Sequence, residues 1–349
     1  LLPDNAVVMT KPFVLLITQV YRGTGTDSNK TNFYKFLSFA INSGNIPTDK
    51  VLLTTYEEHV LSSSPVDLSH LQPCTHEEAD YRMMLHMMDA HQQGSRKIMI
   101  HATDTDVFVL AIATTSSLHD CEVWLAFGHG AKFRYIAVHE IAAHVGRERS
   151  TVLLFLHPIS GCDSVSAMCG IGKKTVWEVW RQMPHLDNLF NRLSNAPIQI
   201  NEDVDEIERF VVVSCSRTSQ LSKVNEARKQ LFAYGGRQLD NIPPTRAALF
   251  QHVERAAYQA RHIWGQVQIA DPSLPSPSDW SWEENAEDGQ WTPTWTTLPE
   301  ASKSCCELVK CNCKKQCLGR CKCFKANLKC TQLCFCAGQC VREHQEDLM

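Results

Sequence analysis

The chain has 349 residues, 44% hydrophobic and 21% charged, with a formal net charge of −4. That is enough chain for one large domain or two ordinary ones around a real core. It excludes a polycation, so a surface for nucleic acid must be local.

The first residue is Leu1 rather than Met, so a preceding segment is expected. The apolar run 12–17 is too short to span a bilayer, and no stretch reads as a signal peptide or membrane helix; no membrane partner is expected. Residues 13–20 read as a strand, 32–41 as a helix and 51–54 as a short strand, with a polar turn over 22–27. Residues 77–92 read as a helix, with Met83, Met84, Met87 and Met88 at the spacing of a core stripe. Residues 97–100 form a strand that runs into Thr103, Asp104, Thr105 and Asp106, followed by the apolar run 107–113. Residues 122–127 are a second strand. A short strand precedes a helix over 136–145, and the apolar run 152–159 leads into Gly161, Cys162 and Asp163. Strands alternating with helices predict an α/β fold, a mainly parallel sheet with helices on both faces. Helices are expected over 206–215, 222–234 and 245–264, the last introduced by Pro243 and Pro244. Proline and acidic residues with Trp280, Trp282, Trp291 and Trp295 mark a linker. The predicted organisation is therefore 1–185 α/β domain, 186–265 helical extension, 266–300 linker and 301–349 cysteine-rich module.

Three acidic spots suit metal chemistry. Two-metal phosphodiester hydrolysis needs several carboxylates around ions about 4 Å apart, and parallel sheets collect them at strand carboxyl ends. Glu78 and Asp80 stand at a helix start, Asp104 and Asp106 follow a strand, and Asp163 follows an apolar segment. Gly170, Ile171 and Gly172, with Lys173 and Lys174, then open a helix, where bare backbone N–H groups can hold a phosphate. Each feature has a plainer reading: charge at a helix N-terminus, a cap, an ordinary turn between helices. His76, His86, His101, His129, His139, His144 and His157 find no convincing ligand partners and read as core or surface residues.

Taken in order, Glu78-Ala79-Asp80, Asp104-Thr105-Asp106, Gly161-Cys162-Asp163 and Gly170-Ile171-Gly172 resemble the internal region of flap-endonuclease-like (PIN-like) nucleases, over about residues 76–182. The resemblance implies that Glu78, Asp80, Asp104, Asp106 and Asp163 are catalytic ligands of Mg²⁺ or Mn²⁺. It also implies that Gly170, Gly172, Lys173 and Lys174 grip duplex backbone. The alternative is a non-catalytic DNA-binding or protein-interaction scaffold derived from a nuclease, of a kind found in mobile elements.

Nine cysteines lie at Cys311, Cys313, Cys317, Cys321, Cys323, Cys330, Cys334, Cys336 and Cys340. Zinc takes four ligands and favours thiolate. Three four-cysteine sites need twelve sulfurs, which nine supply if three of them bridge; two zincs with a spare cysteine is the smaller alternative. A disulfide knot or a metallothionein-like store are competing readings, disfavoured by the lack of secretion features and by the large domain upstream. Lys314, Lys315, Arg320 and Lys322 are available to DNA phosphates. The run resembles the CXC domain of tesmin and TSO1, which implies zinc, DNA binding and a nuclear location.

Overall fold

The protein is described from a computed structural model, covering residues 6–10, 13–17, 27–47, 49–195, 200–235, 242–296, 311–312, 321–325, 330 and 334–336. The expected polar turn over 22–27 lies almost wholly outside the described residues. Two compact units divide the chain. The first comprises residues 1–158, 187–197 and 256–276; the second comprises 159–186, 198–255 and 277–349.

The first unit is mixed α/β. Strands β1 (Ala6–Thr10) and β2 (Phe13–Ile17) are followed by helix α1 (Asp27–Asn42), then β3 (Lys50–Tyr56) and β4 (His59–Ser62). Helix α2 (Ala79–Gln92), β5 (Lys97–Ala102), α3 (Thr105–Thr115), β6 (Glu122–Phe127), β7 (Arg134–Ala137), α4 (Val138–Val145) and α5 (Arg147–Ile159) come next. The sheet order is β4-β3-β1-β2-β5-β6-β7.

The expectation of a mainly parallel sheet is corrected here. Only β2–β5 and β5–β6 are parallel; the other four neighbouring pairs are antiparallel. For three of those four pairs the cause is connection length. A parallel crossover needs a dozen residues or more. Residues 11–12, 57–58 and 128–133 are the whole links of β1–β2, β3–β4 and β6–β7, so these pairs must turn back. The β5–α3–β6 crossover is the parallel unit that the alternation of elements predicted.

The core forms where the periodicities place it. Met83, Met84 and Met87 of α2 are buried, as are alternate residues Ile98, Ile100 and Ala102 of β5 and Val123 and Leu125 of β6. The apolar run 152–159 lies in α5 and is buried on every side, with the Phe155 ring tilted against Phe190 at 5.2 Å. Phe190 lies on α7 (Leu186–Asn195). Arg82 ties the segment before α2 in place by donating to the carbonyls of His76, at 2.7 Å, and Cys74, at 3.2 Å.

The second unit is helical: α6 (Lys173–Trp180), α8 (Ile200–Cys215), α9 (Val224–Gly235) and α10 (Arg246–Tyr258), whose last residues belong to the first unit. Its helices are joined by a buried carboxylate. Glu208, 1% exposed, accepts from the Val224 N–H at 2.8 Å and from Arg246 Nε at 3.0 Å. The same acid thus satisfies an orphan donor at the start of α9 and meets a cation at the start of α10. Beyond α10 a π-helical turn, Gln259–Ile263, precedes a 3₁₀ turn, Trp264–Gln266.

Part of the expected linker is ordered. β8 (Trp282–Glu284) pairs antiparallel with β9 (Trp291–Pro293). Asn285 and Asp288 close its loop through side-chain oxygens that accept the Glu287 and Gln290 N–H groups, both at 3.0 Å. Arg255 on α10 donates to the Ser281 and Thr294 carbonyls at 3.2 and 3.4 Å, which pins the hairpin by its base. A short helix α11 (Lys322–Lys325) lies in the cysteine segment. Among the described residues no helix is long and apolar enough to cross a membrane.

Candidate metal centre

Four cysteines converge. The sulfurs of Cys311, Cys323, Cys330 and Cys334 all lie within 4.8 Å of one another. Cys311 and Cys330 are 3.7 Å apart, and Cys323 and Cys334 are 3.5 Å apart. A tetrahedral zinc with bonds of about 2.3 Å spaces its sulfurs about 3.8 Å apart. The donor set and its spacing therefore fit a single divalent ion such as zinc.

Local structure explains which sulfur of each pair turns inward. α11 begins just after Cys321, and its first turn buries Cys323 completely. The Phe324 N–H points back at the Cys321 sulfur, 3.3 Å away. The Phe335 N–H donates to the Cys311 carbonyl at 3.0 Å, fixing the Cys334–Cys336 strand of chain against the first cysteine. Of the two Cys-x-Cys pairs described in full, Cys321/Cys323 and Cys334/Cys336, each sends one member to the four-sulfur group. The other members, Cys321 and Cys336, are half-buried against its flank. Burial, and then the Cys334 and Cys311 sulfurs beside it, push the Cys323 thiol up to about 12. Binding a metal ion at this thiol releases that proton. Cys313, Cys317 and Cys340 lie outside the described residues, as do Lys314, Lys315 and Arg320. Lys322 is exposed on α11.

The predicted carboxylates are distributed over both units. In the first unit, Asp104 and Asp106 follow β5 directly, at the carboxyl end of the parallel strands. Asp104 caps α3, accepting the Asp106 N–H at 2.8 Å. Asp106 faces inward and meets His157 Nε2 at 2.6 Å. His157, on α5, also packs its ring 5.5 Å from Trp264. Glu78 is exposed at the N-cap of α2 and Asp80 half-buried in its first turn. Among the described residues, Glu78, Asp80, Asp104 and Asp106 do not form a group of three with oxygens within 4.8 Å.

Asp163 belongs to the second unit, exposed in a tight turn where the Cys162 and Val165 backbones bond each other at 2.9 and 3.2 Å. Gly161, at φ +103°, starts that turn. Lys173 reaches back from α6 to donate to the Gly161 carbonyl at 2.7 Å, so it braces the Asp163 turn as well as flanking the Gly170–Gly172 bend. Lys174 is 90% exposed, and Gly172 is the residue before α6, with open space where a Cβ would lie.

His157 is the residue that sequence reasoning missed. It stands 51 positions from Asp106, on an apolar run that reads as plain core. Comparison with known proteins finds no matching family model, no matching curated protein and no matching solved structure.

Proposed function

We propose that this chain is a DNA-associated protein in which a zinc-organised cysteine module binds DNA and a nuclease-derived α/β unit acts on it. The observation that carries the reading is the group formed by Cys311, Cys323, Cys330 and Cys334, with sulfur spacings of 3.5 and 3.7 Å. The split of the Cys321/Cys323 and Cys334/Cys336 pairs between the group and its flank supports a larger cluster, with three zinc ions sharing nine thiolates. Lysines and Arg320 around the cluster supply the charge for phosphate.

The nuclease part rests on placement. Asp104 and Asp106 stand at the carboxyl end of β5, between two parallel neighbours, where α/β proteins build their sites. In this reading Asp104 and Asp106 are ligands for Mg²⁺ or Mn²⁺. A second reading, a non-catalytic scaffold, is favoured by the engagement of Asp104 as a helix cap and of Asp106 with His157.

Zinc content and DNA affinity of the full chain test the first part. Purified protein is expected to hold about three zinc ions, and Cys323→Ser and Cys334→Ser to lower both the zinc content and salt-dependent duplex binding. Zinc-free protein with unchanged duplex binding rejects the module's role. Mg²⁺-dependent cleavage of branched DNA, lost in Asp104→Ala and Asp106→Ala, separates the enzyme from the scaffold.

A further inference from the structure

The hairpin between β6 and β7 carries a run that neither the core nor the acidic loop uses. Residues 129–135, His-Gly-Ala-Lys-Phe-Arg-Tyr, are all exposed. The run contains Lys132, Arg134, His129, Phe133 and Tyr135 and no acidic residue. Phe133 and Tyr135 are 39% and 58% exposed, a costly way to display large rings unless they meet something.

The rings are arranged. Phe133 stacks obliquely on His101, with centroids 6.3 Å apart, and Tyr135 meets Phe133 edge-on at 5.2 Å. The Arg134 guanidinium lies over the Phe127 ring at 5.8 Å. The tip that carries them is fixed by its backbone. Gly128 sits at φ +88°, and a Cβ there would lie 2.8 Å from the Lys132 carbonyl oxygen, so the turn closes only on glycine. The Lys132 and Phe133 N–H groups then close a 3₁₀ turn on the His129 and Gly130 carbonyls at 3.0 and 3.1 Å. The sheet register sets Ala102 beside Phe127, and Phe127 beside Arg134. The platform therefore stands at the same sheet end as Asp104.

Exposed aromatic faces interleaved with cations, on a rigid support and without acids, are what unpaired bases and their phosphates bind. We propose that residues 129–135, with His101, form a stacking platform for single-stranded nucleic acid. Phe133 and Tyr135 take bases and Lys132 takes the backbone, while Arg134, projecting from the opposite face onto Phe127, adds positive charge behind the platform. This rests on the nucleic-acid reading above but not on the cysteine module. A second copy of this chain pairing along the β7 edge is the competing occupant. The length of β7, four residues, and Arg134 on it make that edge a poor template.

The test uses the full chain without added Mg²⁺. A short oligothymidylate bearing 5-bromodeoxyuridine is photo-crosslinked to the wild-type protein, and the crosslinked peptides are identified by mass spectrometry. Crosslinks are expected at Phe133 or Tyr135. In anisotropy titrations, Phe133→Ala and Tyr135→Ala each lower the affinity for oligothymidylate about tenfold. Phe133→Trp retains it, and duplex affinity is unchanged. Crosslinks found only outside residues 129–135 overturn the proposal, whether or not the variants fold. So does wild-type oligothymidylate affinity in both folded alanine variants, or a concentration-dependent dimer that they abolish. Duplex binding that survives zinc removal, with the crosslink intact, faults the cysteine module alone.

Discussion

Replacing Gly161 with alanine loads two separate costs onto the turn that carries Asp163. The residue sits at φ +103°, which an L-side chain adopts at about 1–3 kcal/mol. Its new Cβ would also lie 2.5 Å from the Ala167 Cβ and 2.8 Å from the Ala167 Cα. Approaches that short force the backbone to move, and overpacking of this sort costs about 1–3 kcal/mol. The sum is about 2–6 kcal/mol, a large share of a domain's stability. Trimming the neighbour, in Gly161→Ala with Ala167→Gly, removes the closest atom. The clash with the backbone of residue 167 and the dihedral cost both remain. The double change is expected to recover about 1 kcal/mol. Urea unfolding followed by tryptophan fluorescence reads all three proteins, and Trp177 and Trp180 report on the unit concerned. A Gly161→Ala loss below about 0.5 kcal/mol, the ordinary range for surface changes, refutes the argument.

Acid sensitivity follows from His86. Burial, and then the nearby Arg82 charge, pull its pKa from 6.5 down to about 4. The unfolded chain therefore takes up a proton at higher pH than the folded one, and stability falls as pH drops from 6.5 to 4. The full drop is about 3 kcal/mol for this residue, from about 1.4 kcal/mol per unit. His86→Met is expected to flatten the profile, and an unchanged slope between pH 7 and 4 counts against it. The His157–Asp106 contact is expected to show a coupling of about 1–3 kcal/mol in a double-mutant cycle with His157→Ala and Asp106→Ala; additive losses would mean that the pair is not coupled. X-ray absorption at the zinc edge is expected to give sulfur at about 2.3 Å as the only directly bonded neighbour. Cys323→Ser should introduce a shorter bond to oxygen or nitrogen, and an unaltered spectrum would remove Cys323 from the site.

Legibility in the sequence followed the range over which each signal acts. The methionines of α2 and the alternation in β5 are local, and both land in the core. Residues 27–42 and 246–258 extend or shorten the expected helices by a turn, since helix ends depend on contacts outside the window. β1 and β4, of five and four residues, carry too few alternations to be read, and missing them concealed the antiparallel half of the sheet. The prolines at 272, 275 and 277 masked a hairpin whose tryptophans and Asx turns lie just beyond them. Cysteine spacing pointed to metal, but which of the described sulfurs meet depends on a single turn of helix at Cys323 and on one backbone bond from Phe335. The Asp106–His157 contact bridges 51 residues and leaves no mark in spacing at all.

The interleaving of the two units bears on how the chain is made. The first unit is assembled from residues 1–158, 187–197 and 256–276. A ribosome delivers these in order, so the unit cannot close on its last segment until the second unit's helices α6, α8 and α9 have already emerged. Half-made chains then hold sheet and helix surfaces waiting for partners not yet synthesised. A stop codon anywhere before residue 276 leaves that wait unfinished, so premature truncation should yield protein prone to chaperone capture or degradation rather than a working fragment.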